Sequence, residues 1–175
     1  LPMKQALAVA DWALKANGVR DKVVLFASGK IATPIDIAVA MALGADAVYM
    51  ARGFMFSIGC IQALECHTNN CPTGIATQKR SLERAINIKG AAERVKTYAD
   101  VLYHETQMLA ESCGYSTPTD ITADDIMVVT SPGHLDYLSE LHGISAYEAS
   151  LERRMARSKG MSVGEMKIRE SAQMN

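Results

Sequence analysis

Cys60, Cys66 and Cys71 share one short stretch of a chain that has four cysteines in all. Their spacing, C-x5-C-x4-C, is too wide for a redox C-x-x-C pair and one ligand short of a closed structural zinc site. Thiolates are soft ligands, and three together suit an iron–sulfur cluster better than a disulfide framework. Two other readings stay open on the residues alone. One is a set of buried thiols, because cysteine is among the most buried residue types; the polar loop from Glu65 to Asn70 and Pro72 behind the last cysteine argue against it. The other is a Cys3His zinc site through His67, which requires the neighbours Cys66 and His67 to face one ion. Cys113 falls at the end of a predicted helix far along the chain and reads as structural.

A second constellation is Ser28-Gly29-Lys30 and Arg52-Gly53, each just after a short apolar run. Glycine behind a strand lets backbone N–H groups approach a phosphate, and a following helix N-terminus adds a favourable dipole. Ordinary βα turns also carry glycine, so this reading stays open too. His104, His134 and His142 have no convergent carboxylate or cysteine motif and read as surface or helix-end residues. The methionines and Trp12 read as packing.

The elements that must hold these groups follow from periodicity. Met3, Ala6, Leu7, Ala10 and Leu14 mark an amphipathic helix closed by Gly18. Residues 23–27 form an apolar run that reads as a strand buried on both faces. Thr33, Pro34 and Asp36 start a helix that stops at Gly44, and residues 47–51 give a second buried strand. Another apolar helix runs toward Cys60, so the first part is βαβα with parallel pairing. The turns after parallel strands are where such proteins bind ligands. Beyond the cysteine loop a long helix runs over 91–112 to Gly114. Short helices are expected from Thr122, over 135–142, and behind a Ser145–Glu148 capping box, with a charged, methionine-rich tail from Arg153.

The bulk numbers set outer bounds. At 175 residues, 49% hydrophobic and 21% charged, the chain has the composition of an ordinary soluble globular protein. A net charge of −1 gives no electrostatic case for nucleic acid or an anionic membrane surface. No apolar run approaches the roughly 20 residues of a membrane span, and the clustered cysteines point to a reducing, cytoplasmic home. Two βα units cannot close a sheet, and a (β/α)8 barrel takes about 250 residues. With Leu1-Pro2 opening directly on a helical pattern, the expectation is a piece that begins inside a longer protein. The expected fold is α/β: the last two βα units of a (β/α)8 TIM barrel with an iron–sulfur cysteine loop over residues 1–78, then a helical C-terminal extension over 79–175.

The run from Gly59 to Gln78 closely resembles the cluster loop of the FMN-binding glutamate synthase family, whose pattern is G-C-x5-C-H-x-N-x-C-P-x-G-[IV]-A-T-Q. The resemblance extends over roughly residues 20–128. It implies a (β/α)8 barrel binding FMN, with a [3Fe–4S] cluster on Cys60, Cys66 and Cys71. It puts Ser28, Gly29 and Lys30 after the seventh strand and Arg52 and Gly53 after the eighth, where the FMN phosphate is held. Ala27-Ser28-Gly29-Lys30 stands where the family commonly has Asp-Gly-Gly. Thr33-Pro34-Ile35-Asp36 replaces Thr-Gly-Arg-Asp, and Arg52 replaces a small residue. The implied reaction is reductive amination of 2-oxoglutarate to glutamate, with nitrogen from glutamine or ammonia. Electrons come from an NADPH-linked subunit or ferredoxin. The residues that bind 2-oxoglutarate belong to upstream segments, so no catalytic residue is assigned in this chain. Implied partners are the remaining barrel and upstream domains, or a subunit that carries them. Two further readings are a cluster-bearing or docking subunit without catalysis of its own, and a zinc-binding structural domain.

Overall fold

The computed structural model describes residues 1–144 together with Glu148, Glu152 and Lys159. Ser145 of the Ser145–Glu148 capping box, and the stretch from Arg153 apart from Lys159, lie outside that set. The chain divides into two compact units: Phe26–Ile121, and Leu1–Leu25 with the described residues from Thr122 onward.

In the unit Phe26–Ile121, strands β1 (Phe26–Ser28) and β2 (Ala47–Tyr49) pair in parallel, with Phe26 opposite Ala47 and Ser28 opposite Tyr49. Helix α2 (Pro34–Ala42) connects them, as the alternation of apolar runs and turns predicts. Its N-terminus is closed by a full capping box. The Thr33 hydroxyl accepts from the Asp36 N–H at 3.3 Å, and the Asp36 carboxylate accepts from the Thr33 N–H at 3.0 Å. The expected two-face burial of both strands is not what the structure shows. The ladder starts three residues late, Val24 is 65% exposed, and Phe26 and Tyr49 stack with ring centroids 5.0 Å apart while remaining exposed. A strand is covered on both faces only where helices flank a wider sheet, and this sheet has two strands among the described residues.

Helix α3 (Arg52–Ser57) follows β2 directly, then the cysteine loop, helix α4 (Arg80–Glu83) and the long α5 (Ile88–Ser112). Asn87 caps α5 by accepting from the Gly90 N–H at 3.0 Å. The buried positions Ala91, Leu102, Thr106 and Ala110 fall on one stripe of α5, which packs against α2 and its buried Ile37, Ala38, Val39 and Ala40. Each large apolar side chain buried in this seam contributes about 1.5–3 kcal/mol. The buried Thr106 hydroxyl avoids an unmet polar group by donating to the Leu102 carbonyl at 2.6 Å.

In the other unit, helix α1 (Met3–Ala16) buries Leu7, Ala8 and Asp11. Burial of Asp11 is offset by Arg20 Nε and Lys15 Nζ, each 2.7 Å away. Residues 127–137 depart from the helical reading of the second half. β3 (Met127–Ser131) and β4 (His134–Tyr137) form an antiparallel hairpin around Pro132-Gly133. Only Leu138–Leu141 of the expected 135–142 helix is helical (α6). Thr122 and Asp125 do bond to each other, at 2.7 and 2.8 Å, but they close a turn that leads into β3 and not a helix.

Candidate functional site

The cysteine loop leaves α3 through Gly59, whose φ of +106° turns the chain, and returns to regular structure at α4. All four cysteines are thiols; Cys60 is half-buried, Cys66 exposed, Cys71 buried and Cys113 exposed. Among the described residues, no three His, Cys, Asp or Glu side chains converge closely enough to hold a metal ion. The structure therefore does not gather Cys60, Cys66 and Cys71 into one ligand set, nor does it add His67 or Cys113.

What it does build is the ground on which Cys71 stands. The Cys71 sulfur lies 3.3 Å from the Thr73 hydroxyl. That bond first, and then backbone N–H groups of Ala76, Thr73 and Ile75, hold the thiol down from 9.0 to about 7 against an opposing push from burial. The thiolate, the form that binds metals, is thus favoured near neutrality. Asn69 fastens the two sides of Cys71 to each other. At φ +62° it adopts the left-handed conformation that Asn tolerates better than most residues, and its Oδ1 accepts from the Gln78 N–H at 2.6 Å. The Thr77 hydroxyl lies 2.7 Å from the Asn69 carbonyl and 3.0 Å from its Oδ1, donating to that pair. Lys79 Nζ donates to Asn70 Oδ1, and the Lys79 N–H to the Thr77 hydroxyl at 3.1 Å. Gly74, at φ +80°, sits so close to α4 that a Cβ there would collide with the Leu82 carbonyl oxygen.

The two strand-end turns lie at the same end of the parallel pair. Ser28, Gly29 and Lys30 are exposed, and Lys30 has φ +57°. Arg52 and Gly53 differ from the expected turn, because both are helical and form the first two residues of α3. Gly53 is buried under Tyr98 of α5, and a Cβ at Gly53 would overlap the Tyr98 hydroxyl. That hydroxyl donates to the Ala32 carbonyl at 2.6 Å, and the ring meets Phe54 edge-on at 5.1 Å. Burial, and secondarily the charge of Asp36, raise the Tyr98 hydroxyl above its ordinary pKa, keeping it a donor. The backbone N–H groups of Ala32 and Thr33 are already satisfied by Asp36.

Thr73, Arg94 and Tyr98 were not singled out by the sequence. Thr73 follows Cys71 at the spacing of a local hydroxyl turn, a signal that was available. Arg94 and Tyr98 are one turn apart on a helix, and only the fold shows what they reach. His134 pairs with Asp136 at 3.1 Å inside the hairpin, and His104 is exposed, in keeping with their reading as surface groups.

The unit Phe26–Ile121 thus presents a parallel βαβ unit followed by a thiol-bearing loop and a long bracing helix. Residues 1–116 match the family model described as the conserved region in glutamate synthase. The chain is 41% identical over 141 residues to the glutamate synthase large subunit-like protein YerD of Bacillus subtilis, covering 81% of this chain and 27% of that protein. It is 34% identical over 117 residues to the archaeal NADPH glutamate synthase of Methanocaldococcus jannaschii, covering 67% and 23%. To the ferredoxin-dependent glutamate synthase of Cyanidium caldarium it is 35% identical over 121 residues, covering 69% and 8%. The chain belongs to the glutamate synthase family. It spans about a quarter of the length of the first two relatives and far less of the third. No helix among the described residues is long and apolar enough to cross a membrane.

Proposed function

We propose that this chain is the cluster-bearing C-terminal part of an FMN- and iron–sulfur-dependent oxidoreductase of glutamate synthase type, which converts 2-oxoglutarate to glutamate. The observation that carries the reading is the Cys71 site. A thiol held near neutrality by a hydroxyl and three backbone N–H groups is prepared as a metal ligand, and its loop is pinned on both sides. The donor set fits an iron–sulfur group chemically, since it offers three thiols from one loop. Metal binding and ordering of a ligand loop are one process, so cluster assembly would draw Cys60 and Cys66 to Cys71. When bound, the cluster would supply single-electron transfer and the flavin hydride transfer to the substrate carbon.

The chain's own residues would then divide the work. Cys60, Cys66 and Cys71 hold the metal. Lys30 and Arg52, with Ser28 and Gly29, meet the flavin phosphate at the strand ends. Gly53 keeps that end open to Tyr98. The last two βα units of a (β/α)8 barrel remain the fold that best accommodates the parallel pair, with the other strands, the substrate-binding residues and the electron donor supplied from beyond this chain. The size of the relatives supports that division.

Anaerobic reconstitution of the 175-residue chain with iron and sulfide tests the cluster claim. The expected product has close to three irons per chain and a three-iron paramagnetic resonance signal when oxidised. Cys66→Ser should lose both, because three ligands leave no spare. Zinc bound without iron, or wild-type iron content in Cys66→Ser, would overturn the proposal.

A further inference from the structure

We infer that Arg94 is a positioning residue for Cys60, acting through the C-terminal end of α3; the inference rests on the iron–sulfur reading of the cysteine loop. At six residues α3 is too short to persist by its own hydrogen bonds, and its final carbonyls have no partners within the helix. Arg94 reaches back from α5 to the last of them, on Ser57, and to the Ile58 carbonyl just beyond the helix. Its Nε donates to the Ser57 carbonyl at 2.8 Å and its Nη2 to the Ile58 carbonyl at 3.4 Å. A cation at a helix C-terminus is also favoured by the helix dipole.

The consequence falls on the next two residues. The Gly59 N–H donates to Phe56 O at 2.9 Å and the Cys60 N–H to Met55 O at 3.0 Å, so the peptide that carries Cys60 is fixed only as well as the end of α3 is. The guanidinium lies 3.7 Å from where a Cβ on Gly59 would stand, leaving positive charge beside the residue that precedes the thiol. One turn further along α5, Tyr98 secures the other end of the same helix by packing on Gly53 and bonding Ala32. α5 therefore holds α3 at both ends, and Arg94 is the contact at the end that leads to Cys60. The two-carbonyl grip needs the planar guanidinium fork; a lysine ammonium restores charge without it.

Arg94→Gln and Arg94→Lys in the full chain separate these roles through two readouts. In the reconstituted protein, Arg94→Gln should release iron to a chelator roughly ten-fold faster, as the loss of a charged hydrogen bond implies. Its three-iron resonance signal should also change in shape, while Arg94→Lys falls between it and wild type. In the metal-free chain, amide hydrogen exchange at Gly59 and Cys60 should quicken in Arg94→Gln while amides of the α2–α5 seam keep their protection. Wild-type chelation rate and signal shape in both variants would overturn the inference while leaving the cluster reading intact. If wild type takes up no iron, the cluster reading fails by itself and exchange decides: unchanged protection at Cys60 overturns the role of Arg94.

Discussion

Around Cys71, single atoms decide what the loop can be. Gly74 is held at φ +80° with the Leu82 carbonyl oxygen where its side chain would go, so Gly74→Ala meets both a left-handed backbone penalty and a backbone clash. We expect a loss of about 1–3 kcal/mol in urea unfolding, with wild-type stability counting against this packing. Asn69 is a different case, because its side chain replaces absent secondary structure. Asn69→Ala removes the acceptor of the exposed Gln78 N–H and leaves the Thr77 hydroxyl only the Asn69 main-chain carbonyl, a loss on the order of 0.5–1.5 kcal/mol. Asn69→Asp, which keeps the acceptor oxygen, should recover most of it in the same assay. The motif residues were legible in the sequence as a set, including Gly74 and Asn69. Their individual tasks were not, since nothing in a linear spacing says that Asn69 bonds across Cys71 to Thr77 and Gln78.

At the scale of elements, α3 is the piece that local signals describe least well. Arg52-Gly53 reads as a turn because glycine is a poor helix former, yet the pair opens a helix, since only glycine leaves room for the Tyr98 ring. Gly53→Ala and Tyr98→Phe should therefore share one cost. Each breaks the same Tyr98–Ala32 bond, and a double-mutant cycle on thermal stability should give a combined loss well below the sum of the two. Simple additivity would show that Gly53 serves something other than Tyr98. The capped helix α2 and the long α5 were legible because Thr33, Pro34, Asp36 and the apolar stripe act locally. The β3–β4 hairpin has signals of its own, because β-branched Val128, Val129 and Thr130 precede Pro132-Gly133, yet the apolar pattern after the turn also fits a helical period. The late start of β1 could not be read at all, because pairing register depends on β2.

For the whole molecule, the division into two units means that a perturbation should be felt where its own contacts lie. Trp12, the single tryptophan, sits on α1, so its emission reports on the unit that also contains His142. Burial, and then the charge of Lys4, push the His142 imidazole below its ordinary pKa of 6.5. The folded form therefore prefers the neutral ring, while the unfolded chain takes up a proton near 6.5. Below that point the unfolded state binds more protons, so stability rises with pH there. The contribution is complete above 6.5 and is lost as pH falls toward the depressed folded value. Trp12-detected urea midpoints should accordingly drop between neutral and mildly acidic pH in wild type. In His142→Gln the drop should be visibly shallower, and Lys4→Gln should reduce it in part by removing the second cause. An identical pH slope in wild type and His142→Gln would show that the imidazole is not linked to folding of this unit.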